Sequence, residues 1–257
     1  MPAMPSARRT ALATVAFLLL ACAARADEVT VAVAANFAGP LARIAEGFAA
    51  ATGHTLKISS GATGRFYTQI VAGAPFEVLI AADDETPRRL IAEGHAVAGS
   101  NFTYAIGKLV LWSAQPGYVD DQGAVLAAGK FAHLAIANPK IAPYGAAGVE
   151  VIKARGLADA IGPKLVTAES IAQAQLFVAT GNAELGFVAL SQVVVPGKPV
   201  VGSYWLVPAA LYGEIRQDAV LLKVGDRKPG AAALLAYLKS APARSVIQSY
   251  GYGQWRP

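Results

Sequence analysis

The strongest constraint on this chain is an alternation. Short apolar runs rich in Val, Ile and Ala are each followed by a stretch with helical spacing. Val29–Ala35 (VTVAVAA) is Val-rich and nearly free of polar residues, as a strand covered on both faces requires. Leu41, Ile44, Ala45 and Phe48 then share one face over Leu41–Ala51, and Thr52-Gly53 closes the segment. Thr55–Ser59 reads as a second strand, Phe66–Ala72 as a helix ended by Gly73-Ala74-Pro75, Val78–Ala82 as a third strand and Pro87–Glu93 as a third helix. Such a βαβαβ run predicts an α/β fold built on a parallel sheet.

A second series follows. Strands are expected at Ile106–Ser113, Leu134–Ala137, Lys164–Thr167, Leu185–Leu190 and Ala219–Val224. Helices are expected from Tyr144 to Lys153, from Ile171 to Thr180 and, as the last element, over Gly230–Ser240. No Gly/Ser-rich linker separates the two series. The expectation is therefore two lobes joined by direct strand crossings, 27–105 with 216–257 forming one and 106–215 the other.

Composition narrows the function. Of 257 residues, 54% are hydrophobic and 15% charged, which excludes a disordered chain. The single Cys excludes a disulfide framework and a Cys-rich zinc site, and His54, His95 and His133 show no metal-ligand spacing. The net charge of +5 owes three units to Arg8, Arg9 and Arg25, in a 26-residue segment without acids. The remainder carries +2 and no basic run, so no nucleic-acid footprint is expected.

That segment, residues 1–26, has the order of a secretory signal: a paired-Arg start, an apolar stretch over Ala11–Cys22, and Ala24-Arg25-Ala26 before Asp27. Cleavage after Ala26 leaves 231 residues with no Cys. Leu19-Leu20-Ala21-Cys22 loosely matches a lipobox, which would put a lipid anchor on Cys22, but Leu is a poor fit at its second position. The Arg pair also lacks the hydrophobic follow-up of a twin-arginine signal. No later stretch is long and apolar enough to span a bilayer. An exported, periplasmic protein is expected.

Four strands lead into small-residue loops that open helices: Ala34-Ala35-Asn36-Phe37, Ser59-Ser60-Gly61-Ala62-Thr63-Gly64, Asn138 to Gly145, and Ala168-Glu169-Ser170-Ile171. Helix starts leave N–H groups unpaired and attract anions. In open α/β sheets, ligands collect at the carboxyl ends of strands, where these loops lie. Taken singly, each loop is more simply an N-cap. Four of them in two lobes, behind an export signal, point to a site for one small anion.

At these loops the chain resembles the periplasmic molybdate-binding proteins of ABC transporters, of the type II solute-binding fold. The resemblance rests on the ordered markers Val31 to Phe37, Ile58 to Gly64, Gly73-Ala74-Pro75, Ile80-Ala81-Ala82-Asp83, Phe102 to Trp112, Asn138-Pro139, Ile141-Ala142-Pro143-Tyr144-Gly145 and Leu185-Gly186-Phe187-Val188. It implies a two-lobed binding protein with its ligand in the interlobe cleft, not an enzyme. It implies contacts to the oxygens of molybdate from Asn36, with Ala35 beside it, from the Thr63 hydroxyl and N–H, and from the N–H groups of Tyr144 and Ile171. None of these is a direct metal ligand. Some members add a Tyr hydroxyl where this chain has Ala189. The resemblance also implies hand-over to a membrane permease and its ATPase, a monomer, and no cofactor beyond the transported molybdate or tungstate.

Molybdate is an unprotonated dianion that only accepts hydrogen bonds, so its site should offer donors and no carboxylate. None of the four positions is acidic. Glu169 is expected to point away, Arg65 to be a solvated surface residue, and Tyr144 to pack as an apolar lid with its N–H on the ligand. Tyr104, Trp112, Tyr204 and Trp205 are expected in core or hinge packing. The rivals are a site for sulfate or a small organic acid, and an exported hydrolase. For the latter, no Gly-x-Ser-x-Gly, His-Glu-x-x-His or phosphate-loop motif is present.

Overall fold

A computed structural model describes residues 26–254. The signal-like segment and Cys22 therefore lie outside the described residues, Ala26 excepted. The chain forms two five-stranded sheets, each flanked by helices. In the first half, β1 (Glu28–Ala34), β2 (Thr55–Gly61) and β3 (Val78–Ile80) alternate with α1 (Ala38–Thr52), α2 (Thr63–Val71) and α3 (Glu85–Ala92), and β4 (Phe102–Gly107) follows. The second half holds β5 (Leu109–Ser113), β6 (Leu134–Ala137), α4 (Pro143–Ala154), β7 (Leu165–Ala168), α5 (Ile171–Ala179), β8 (Leu185–Ala189) and β9 (Ser203–Leu206). The chain then returns as β10 (Ile215–Leu221), α6 (Pro229–Leu238) and α7 (Ala241–Ser249).

The sheet orders are β2-β1-β3-β10-β4 and β7-β6-β8-β5-β9. In each, the first three strands run parallel and the fourth is antiparallel to both neighbours. The alternation in β1 explains why a strand can be apolar throughout. Val29, Val31 and Val33 pack with Phe37, Leu41, Ile44 and Phe48 on one face, and Ala32 packs with Phe66, Ile70 and Leu90 on the other. Gly53, in the left-handed region at φ 76°, terminates α1 as the sequence suggested.

Three expectations are corrected. Ile106–Ser113 is not one strand: it breaks at Lys108, with β4 in the first sheet and β5 in the second. The break passes Gly107, where a Cβ would collide with Tyr144 Oη and Gln217 Nε2. The return strand begins at Ile215 rather than Ala219, because Gln217 and Asp218 are buried despite their polarity. The helix over Gly230–Ser240 is not the last, since Ser240 caps α7 by accepting from Ala243 N–H at 3.4 Å. Strand β9, which carries Tyr204 and Trp205, was not expected at all.

Candidate anion-binding site

Four helix starts converge between the sheets. Ala35 opens the 3-10 turn Ala35–Phe37 after β1, Thr63 opens α2 after β2, Pro143 opens α4 after β6, and Ile171 opens α5 after β7. First-turn N–H groups have no partner within their helix, and each such end carries roughly half a positive charge. At the convergence lies a small cavity of about 10 Å³. It is lined by Ala34, Ala35, Asn36, Gly61, Ala62, Thr63, Ala82, Ala142, Pro143, Tyr144 and Ile171. All five residues singled out from the sequence, Ala35, Asn36, Thr63, Tyr144 and Ile171, are brought together there.

Plain capping does not account for them. The residues before the first three starts are Ala34, Ala62 and Ala142, and none provides a side-chain cap. Only the fourth start is capped, by Ser170 Oγ accepting from Gln173 N–H at 3.3 Å. Thr63 is 1% exposed and its Oγ1 accepts from Ala82 N–H at 3.0 Å. That contact occupies a lone pair and leaves the hydroxyl proton for a ligand. The lobes approach closely beside it: Gly64 N–H donates to Ile141 O at 2.9 Å, and a Cβ on Gly64 would meet Ile141 Cα at 2.9 Å.

Asn36 is in place but its donor is turned away. Nδ2 donates to Gln217 Oε1 and to Tyr252 Oη, both at 2.9 Å, while Oδ1 is buried without a partner. The main-chain oxygen of Asn36 accepts from Ser191 Oγ and from Tyr252 Oη, both at 2.9 Å. Tyr144 is not a lid. It is 1% exposed, and its hydroxyl accepts from Gln217 Nε2 at 2.9 Å, so the ring is tied into the core while the first turn of α4 faces the cavity. Arg65, expected to be solvated, forms a 2.6 Å ion pair with Glu169 of the other lobe, the two side chains being 56% and 63% exposed. Ala189 ends β8 and is buried. Trp112 Nε1 donates to Val201 O at 2.8 Å, away from the cavity.

Sequence reasoning missed Gln217, Tyr252 and Ser191, which hold Asn36. Nothing in their local pattern marks them, because the site reaches them only through the fold. Tyr104 also touches Gln217. Burial pushes the phenols of Tyr104, Tyr144 and Tyr252 up, so all three stay neutral at physiological pH. Among the described residues, nothing lining the cavity carries a carboxylate. The neighbouring cleft, about 620 Å³, differs in that respect: Asp83, Asp84, Glu85, Glu150 and Glu214 line it alongside Arg89, Lys140 and Arg216. Burial pushes the Asp83 carboxyl up to about 6, against the opposing pull of hydrogen bonds from Thr86.

Comparison with known proteins identifies the family. Residues 29–253 match the family model of bacterial extracellular solute-binding proteins. The molybdate-binding protein ModA of Azotobacter vinelandii is 63% identical over 235 residues, which is 91% of this chain and 93% of that protein. ModA of Rhodobacter capsulatus is 54% identical over 243 residues, covering 95% of this chain and 94% of its own. The solved periplasmic molybdate-binding protein of A. vinelandii superposes with a TM-score of 0.87 at 45% identity, over 89% of this chain and all of that one. These proteins bind solutes rather than transform them, and among the described residues no helix is long and apolar enough to cross a membrane. The chain belongs to the bacterial extracellular solute-binding proteins, in the family of the periplasmic molybdate-binding proteins.

Proposed function

We propose that this protein captures molybdate, and tungstate with it, in the cavity between its lobes and passes the anion to the permease of an ABC transporter. The carrying observation is the donor set: four helix starts, the Thr63 hydroxyl and no carboxylate around one small cavity. Such a site suits a ligand that only accepts hydrogen bonds. A singly protonated anion would instead favour a carboxylate to take its proton, and none lines the cavity. Ala35, Asn36, Thr63, Tyr144 and Ile171 are the proposed contacts to the oxyanion. The lobes close around it as a monomer, after export by ordinary cleavage and without a lipid on Cys22.

Titration calorimetry of the 27–257 chain with molybdate, tungstate, sulfate and phosphate tests this reading. Tight binding of the first two with weak sulfate and phosphate is the expected result. Silence with molybdate and tungstate overturns it.

A further inference from the structure

The buried amide of Asn36 presents a contradiction that its neighbours resolve. An oxyanion in the cavity needs N–H donors, yet both Asn36 Nδ2 protons are spent on Gln217 Oε1 and Tyr252 Oη. The remaining atom, Oδ1, is the buried acceptor with no partner. Facing an anion, it would repel. A second tension lies one residue further on. Tyr104 Oη sits 2.9 Å from both Ala81 O and Gln217 Oε1, so one proton is offered to two acceptors.

A half-turn of each amide removes both problems, because the oxygen and nitrogen of a side-chain amide exchange places with little change of shape. With Asn36 turned, Nδ2 faces the cavity and Oδ1 accepts from Tyr252. With Gln217 turned, Nε2 donates to Asn36 Oδ1 and to Tyr104 Oη, freeing the Tyr104 proton for Ala81 O, and Oε1 accepts from Tyr144. Ser191 still donates to the Asn36 main-chain oxygen. Every other donor then has an acceptor, and the two Asn36 Nδ2 protons, which meet no protein acceptor on that side, are left for the ligand, so the turn is favoured only when the anion is there.

We propose that Gln217 is a positioning residue for the oxyanion: a buried amide on β10 whose half-turn is coupled to that of Asn36, switching the Asn36 side chain from acceptor to donor when the anion enters. The placement of Gln217 suits this role. It is fully buried, lies on a strand that returns from one lobe to the other, and touches Asn36 on one side of the cavity and Tyr144 on the other. The inference rests on the function proposed above, since it takes an oxyanion as the occupant.

Neutron diffraction of deuterated crystals, grown with and without molybdate, tests it directly, because deuterated nitrogen and oxygen differ in scattering. The expected result is Asn36 Nδ2 on Gln217 and Tyr252 in the ligand-free crystal, and Asn36 Nδ2 on the bound oxyanion with Gln217 Nε2 on Asn36 Oδ1 in the molybdate crystal; one and the same amide orientation in both crystals overturns the switch. Bound molybdate with Asn36 Nδ2 still on Gln217 and Tyr252 overturns the inference while leaving the proposed function standing. A cavity that takes no molybdate overturns both. Gln217→Met, similar in size but unable to donate to Asn36 Oδ1, is expected to weaken molybdate binding about tenfold while still showing a cooperative melt. Unchanged affinity in that variant overturns the inference.

Discussion

The two lobes are topological copies that contribute unlike chemistry. Strand for strand, β2-β1-β3-β10-β4 answers to β7-β6-β8-β5-β9, with one reversed strand in the same place in each sheet. The cavity is built from equivalent loops, those after β1 and β2 in one lobe and after β6 and β7 in the other. The first lobe nevertheless presents the side chains of Asn36 and Thr63. The second presents helix starts at Tyr144 and Ile171, the Ile171 side chain being apolar and the Tyr144 hydroxyl lying against Gln217. The lesson is a division of labour. Backbone donors are common to both halves, while donors that a mutation can remove sit in one.

The largest effect that would sharpen this comparison comes from Asn36→Asp, which sets a carboxylate beside the dianion. Calorimetry should show a loss of at least about 3 kcal/mol, more than a hundredfold in affinity. Thr63→Val keeps the shape and removes the hydroxyl, and is expected to cost roughly 2 kcal/mol of binding.

Asp83 tests stability instead. The exit from β8 carries Leu190 and Ser191, with no carboxylate to match it. Its carboxyl titrates at about 6 in the fold and near 4 in an unfolded chain. Between those values the unfolded chain holds fewer protons, so the native state loses stability as pH rises through that window and does not regain it above. Asp83→Asn should flatten the profile and gain about 1–2 kcal/mol at pH 8, read from urea melts at pH 4 and pH 8.

Breaking the exposed Arg65–Glu169 pair with Arg65→Ala should weaken binding by no more than about 1 kcal/mol at low salt, and by nothing measurable in 0.5 M salt. Ile171→Val should change affinity least, by under about 0.5 kcal/mol, because its proposed donor is main chain. If Ile171→Val costs as much as Thr63→Val, the division between the lobes is wrong.

Much of the fold was legible because its strands are buried on both faces. Runs such as Val29–Ala34 and Leu134–Ala137 leave few alternatives, and the helix starts that follow them located the cavity. What escaped is where burial and polarity part company. Gln217 and Asp218 sit in a strand whose local pattern reads as a loop, and they are buried because Asn36, Tyr104 and Thr103 receive them from distant parts of the chain. The break at Lys108 was invisible for a related reason. Ile106 to Ser113 is uniformly strand-like, and only packing over Gly107 divides it between two sheets. The direction of the Asn36 side-chain amide depends on two partners, Gln217 and Tyr252, neither of them near it in sequence.

The return of β10 also bears on the order in which the molecule can assemble. All five strands of the second sheet lie between Leu109 and Leu206 in one continuous stretch. The first sheet needs Ile215–Leu221 in its interior, since β4 is joined to β3 only through β10. As the chain is delivered from its amino end, the second lobe can complete its hydrogen-bonded ladder while the first still has an open edge at β3. The lobe that begins the sequence is thus the one that must wait, and the segment that seals it also brings Gln217 to the cavity. Sealing the scaffold and bringing Gln217 to Asn36 are one event.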